Sequence, residues 1–113
     1  MVHIRSQDFI QSISNALQYI SYYHSSDFIK AMTLAYRNEQ SIPAKDAMLQ
    51  ILTNSKMSAL GHRPMCQDTG MVVAFIEVGM QVQWDSNQSI EEMVNKGVSH
   101  AYLNRDNPLR ASM

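Results

Sequence analysis

A single cysteine in 113 residues excludes an internal disulfide and agrees with a reducing compartment. Long apolar runs are also missing: the longest, Met71-Val72-Val73-Ala74-Phe75-Ile76, is far too short to span a bilayer. The N-terminus, Met1-Val2-His3-Ile4-Arg5-Ser6-Gln7-Asp8, lacks the basic region and apolar stretch of a signal peptide, so a cytoplasmic location is expected. Charge of one sign is not in excess either, with nine Lys and Arg against ten Asp and Glu and a net charge of −1. Without a basic stripe or a base-stacking motif, nucleic-acid binding is not expected. No internal repeat or low-complexity linker occurs.

What is present fits one small domain or a piece of a larger one. A hydrophobic fraction of 45% is ordinary for a globular core, and the nine methionines read as adaptable filler. Steps of three and four place Phe9, Ile10, Ile13, Ala16, Leu17, Ile20 and Tyr23 on one face, predicting a helix over about 8–23. Ser6 or Asp8 is its candidate cap. A second helix over 27–38 turns Phe28, Ile29, Met32, Ala35 and Tyr36 inward. Ser41-Ile42-Pro43 opens a third over 42–60, with proline in the first turn and Gly61 as a natural stop. Short links between these helices predict an antiparallel helical layer.

The pattern changes after Gly61. Residues 71–84 read as strands: a β-branched apolar run, then alternation through Val78, Met80, Val82 and Trp84. Gly79 marks a bulge or a turn between two strands. Ser89 and Glu92 form a capping box for a last helix over 89–103. The fold class is therefore α+β: a helical layer, a strand pair and a further helix. Uncovered sheet edges and the abrupt Leu109-Arg110-Ala111-Ser112-Met113 ending lead us to expect a piece of a larger domain.

Chemistry concentrates in the loop from Gly61 to Gly70, with an imidazole, a guanidinium, a thiol, an amide, a carboxylate and a hydroxyl between a helix and an apolar segment. Taken singly, each has a plain structural reading. Cys66 serves as a small hydrophobe, Asp68-Thr69-Gly70 as a turn, His62 as a cation at a helix end and Arg63 as a surface charge. The residue types alone stop at a candidate site loop.

The run Pro64-Met65-Cys66-Gln67-Asp68-Thr69-Gly70 resembles the Pro-x-Cys-Gln-Asp-Thr-Gly signature of class I, iron–sulfur-dependent fumarate hydratases and the related tartrate dehydratase α subunits. Ala16–His24, Ile51-Leu52-Thr53-Asn54-Ser55, Val78-Gly79-Met80, Tyr102-Leu103-Asn104 and Leu109-Arg110-Ala111-Ser112 resemble the same family in order, so the likeness covers nearly the whole chain. It implies the N-terminal part of an Fe–S hydro-lyase catalytic domain that interconverts fumarate and (S)-malate. In that family three cysteines hold a [4Fe–4S] cluster, leaving one iron open as a Lewis acid.

Carried over by position, the resemblance makes Cys66 one of the three cluster ligands. Gln67 bonds the dicarboxylate, Asp68 contacts the substrate hydroxyl and assists its protonation, and Arg110 grips a carboxylate. His62 and Arg63 receive no role. Ser58 stands where relatives often carry a non-ligating cysteine. The family's other two cluster cysteines and its catalytic base are not on this chain, so the isolated chain is expected to be inactive. A homodimer is implied for the complete enzyme. Two alternatives remain open: dehydration of tartrate or another C4 hydroxy-dicarboxylate, and a non-catalytic helical interaction module presenting Tyr19, Tyr22 and Tyr23.

Overall fold

The computed structural model of the chain describes residues 1–66 and 70–103. In chain order these form β1 (Val2–Ile4), α1 (Ser6–Tyr22), α2 (Ser26–Asn38), α3 (Ile42–Gly61), β2 (Val82–Trp84) and α4 (Ile90–Leu103). The α+β class holds, with helices dominating. The residues divide into two compact units, Ile20–Cys66 and Met1–Tyr19 with the described part of Gln67–Met113. The expected three-helix layer is thereby corrected: α1 up to Tyr19 groups with β1, β2 and α4, not with α2 and α3.

In the unit holding both strands, β1 and β2 pair in parallel, with Val2 opposite Val82, His3 opposite Gln83 and Ile4 opposite Trp84. A parallel pair needs a long connection, and here residues 5–81 supply it. The strand pair expected within 71–84 is corrected on this point. Only Val82–Trp84 joins a ladder, and its partner is the N-terminal Val2–Ile4, which carried no strand signal of its own. The Gly79 carbonyl accepts the Val82 N–H at 3.2 Å, closing the turn that leads into β2. Met71–Gly79 makes no ladder because strand structure requires a partner. Among the described residues none lies alongside, and Phe75 is 95% exposed.

The core of this unit forms where α1 meets α4. Ile10 and Leu17 of α1 and Met93 and Ala101 of α4 are buried, as the helical spacing requires. Ile20, expected inward, is exposed. The capping box is present: Ser89 donates its N–H to Glu92 Oε2 at 2.8 Å, and Glu92 N–H reaches Ser89 Oγ at 3.1 Å. At the start of α1, Asp85 accepts the Ser6 N–H at 2.8 Å and the Ser6 hydroxyl. A carboxylate thus sits where the helix leaves free N–H groups, and Ser6 acts as donor rather than as the cap.

These two bonds, aided by Arg5, hold the Asp85 carboxyl below its ordinary value. A lowered folded-state pKa stabilises the fold at pH values above the unfolded value of about 3.9, and that contribution is lost as pH falls through the lower, folded value. Asp85→Asn is therefore expected to lower Tm at pH 7. The gap to wild type should close in thermal melts run at progressively lower pH, below the ordinary carboxylate range.

In the other unit, α2 and α3 are joined by Glu39, Gln40 and Ser41 and pack on one another. Pro43 lies in the first turn of α3, as expected. The buried positions of α3 are the small Ser55 and Ser58, while the apolar Ile51 on the same helix is 43% exposed. Tyr22 is buried, which removes it from the aromatic face proposed for an interaction module.

Candidate functional site

The site loop begins where α3 ends. The helix continues through Gly61, and the left-handed turn falls one residue later, on His62 at φ 49° and ψ 49°. A non-glycine residue rarely adopts that conformation and costs energy there. Side-chain contacts hold it in place. The His62 ring stacks on Tyr22, with centroids 5.4 Å apart and planes 4° from parallel, and its Nε2 shares a 2.8 Å hydrogen bond with Tyr23 Oη. Burial pushes the Tyr22 phenol above its ordinary pKa, and Tyr23 beside it adds to the shift. The stack is therefore made with an uncharged ring. His62 is the exposed residue at the end of α3, as its plain structural reading has it, and its ring is in addition anchored on Tyr22 and Tyr23.

Beyond His62, the Arg63 N–H reaches Ser58 O at 3.2 Å, and the chain turns toward Cys66. Met65 is held on both sides: its N–H donates to Ser21 O at 2.9 Å, and its carbonyl accepts from Asn54 Nδ2 at 3.0 Å. Cys66 follows as an exposed free thiol. That overturns the small-buried-hydrophobe reading and leaves the sulfur reachable, as a ligand must be. It borders an open depression of about 550 Å³ whose wall includes His24, Gln50, Ile51 and Asn54. His24 is fixed there by a 2.9 Å hydrogen bond between its Nδ1 and Ser55 Oγ and by stacking on Phe28.

Gln67, Asp68 and Arg110, the expected substrate contacts, lie outside the described residues, as does Thr69. Among the described residues no three His, Cys, Asp or Glu side chains gather to hold a metal ion. No described helix is long and apolar enough to cross a membrane.

The sequence reading missed Asn54, Ser55 and His24. The signal was there, because Asn54, Ser55 and Ser58 continue the 47-48-51-52 apolar stripe at helical spacing. Polar groups on such a stripe require partners.

The described residues thus form an α+β chain with an exposed thiol on an anchored loop after a helix. Comparison with known proteins shows the family: residues 10–113 match the model of the fumarate hydratase (Fumerase) family, and the chain belongs to that family. A candidate L(+)-tartrate dehydratase subunit alpha of Methanocaldococcus jannaschii is 30% identical over 91 residues, which is 80% of this chain and 31% of the relative. The anaerobic class I fumarate hydratase of Escherichia coli K12 is 38% identical over 65 residues, 58% of this chain and 12% of the relative. The chain thus spans about a third or less of the curated relatives it matches. No solved structure matches it.

Proposed function

We propose that this chain supplies the N-terminal ligand loop of a hydro-lyase that reversibly hydrates fumarate to (S)-malate, with Cys66 as one of three thiolates on a [4Fe–4S] cluster. The supporting observation is family membership over nearly the whole chain together with an exposed Cys66 thiol in the signature loop. The cluster, when bound, supplies an open iron that polarises the substrate hydroxyl and carboxylate. The chain's own residues do the rest of its share. The Gln67 amide donates to the dicarboxylate, and Arg110 grips a carboxylate through two parallel N–H bonds. The Asp68 carboxyl delivers a proton to the departing hydroxyl oxygen. The complete enzyme is cytoplasmic and a homodimer in this reading.

A second substrate is favoured by one observation. The tartrate dehydratase relative aligns with more of the chain than the fumarate hydratase does, and both substrates present a carboxylate and a hydroxyl in a C4 frame. Anaerobic reconstitution with iron and sulfide tests the proposal. The 113-residue chain alone is expected to develop no stable cluster absorbance and no turnover. Co-expressed with the polypeptide carrying the remaining family cysteines, it should acquire both, and assays on malate and L(+)-tartrate then assign the substrate. Malate turnover by the isolated chain, or a co-expressed pair without cluster absorbance, would refute the reading.

A further inference from the structure

We propose that Asn54 is the positioning residue for Cys66, acting through the peptide plane that joins Met65 to Cys66, whose carbonyl it hydrogen-bonds. The inference rests on the reading of Cys66 as a cluster ligand.

Met65 has both its backbone polar groups engaged, the N–H by Ser21 at the end of α1 and the carbonyl by the Asn54 side chain. The carbonyl of Met65 and the N–H and Cα of Cys66 lie in one rigid trans peptide. A donor that fixes that carbonyl therefore fixes the tilt of the whole plane and the point from which the Cys66 side chain departs. Asn54 can do this because it stands on α3, whose hydrogen-bonded backbone provides a stiff base, and its short side chain has few rotamers. The His62 anchor on Tyr22 and Tyr23 holds the loop at its start, and Asn54 acts at Met65, next to the thiol. A thiolate that must meet iron at bonding distance gains from a backbone set in place before the metal arrives.

Asn54 is exposed on its helix, and Asn is a poorer helix former than Ala, so Asn54→Ala should keep α3 intact. Asn54→Asp keeps the shape, but at pH 7 it turns a carboxylate toward the Met65 carbonyl with no proton to donate. When protonated, near pH 4 or below, the same carboxyl regains an O–H donor.

The test uses the 113-residue chain, labelled with 15N. In wild type the Cys66 amide should be ordered, with an order parameter of about 0.85, and in both variants it should fall toward about 0.6 at pH 7. Exchange of the Met65 amide should rise about tenfold while amides within α3 are unchanged. In Asn54→Asp, but not in Asn54→Ala, the exchange rate relative to wild type at the same pH should return toward one as the solution is brought to pH 4. Wild-type order and exchange in both variants would overturn the proposal. Loosening in Asn54→Asp that pH does not reverse would also overturn it, by making Asn54 a packing residue. None of these readouts involves iron, so a failure of the cluster reading leaves a different trace: a loop that responds as stated on a chain that supplies no ligand.

Discussion

Gly97→Ala is expected to destabilise the chain by about 2 kcal/mol, the largest effect foreseen for any single methyl group. Gly97 is buried in the middle of α4. A Cβ built on it would stand 2.6 Å from the Cβ and Cγ2 of Ile13 and 2.9 Å from the Ile10 carbonyl oxygen. None of those atoms is the free end of a flexible side chain, so α1 and α4 must move apart. Overpacking of this kind costs about 1–3 kcal/mol and at times more. The opposing gain from replacing a helical glycine by alanine is only about 0.5–1 kcal/mol. Thermal unfolding should show Tm lower by about 10 °C. Gly61→Ala is the matched control. It is also helical, but its Cβ would meet only Arg63 Cγ at an ordinary 3.6 Å, so Tm should hold or rise slightly. Equal behaviour of the two variants would show that the close approach of α1 and α4 is wrong.

That contrast also marks how far the sequence could be read. The periodic pattern located four helices, and the Ser-x-x-Glu spacing located a reciprocal cap, because both are written in neighbouring residues. Gly97 reads as an ordinary glycine in a helical pattern, since the need for it comes from Ile13 on another helix. Asp85 capping α1 across 79 residues of chain and β1 pairing with β2 are likewise invisible to any local window. The strand expectation held for Val82–Trp84 and failed before it for the complementary reason. The Met71–Gly79 segment has the composition of a strand, but composition does not supply a partner. At the site, the motif around Cys66 was legible through family resemblance, whereas its supports were not. His62 in a left-handed turn is set by Tyr22 and Tyr23, and the Met65 peptide by Ser21 and Asn54. These are long-range contacts that only the folded chain brings together.

Cys66→Ser separates function from stability more sharply than any other change. Cys66 is an exposed thiol and the chain's single cysteine, so replacing sulfur by oxygen removes no buried packing. Exposed substitutions of this kind stay within about 0.5 kcal/mol, and the unfolding curve of the chain should superimpose on wild type. The chemistry changes completely. A thiolate binds iron as a soft anionic ligand, whereas a serine hydroxyl stays protonated at neutral pH and is a poor substitute. In the co-expressed, reconstituted enzyme, cluster absorbance and hydratase activity should both fall to background in Cys66→Ser. Were Cys66 instead a packing residue of the loop, the pattern would invert, with a lowered Tm and intact activity. Loss of activity with the cluster retained would place Cys66 near the substrate rather than on the iron, since the iron would then be held by thiolates from elsewhere. An exposed sulfur on a backbone held at both polar groups of the preceding residue is what a ligand donor requires: it adds little to the fold, so its substitution should be felt almost entirely in the metal site.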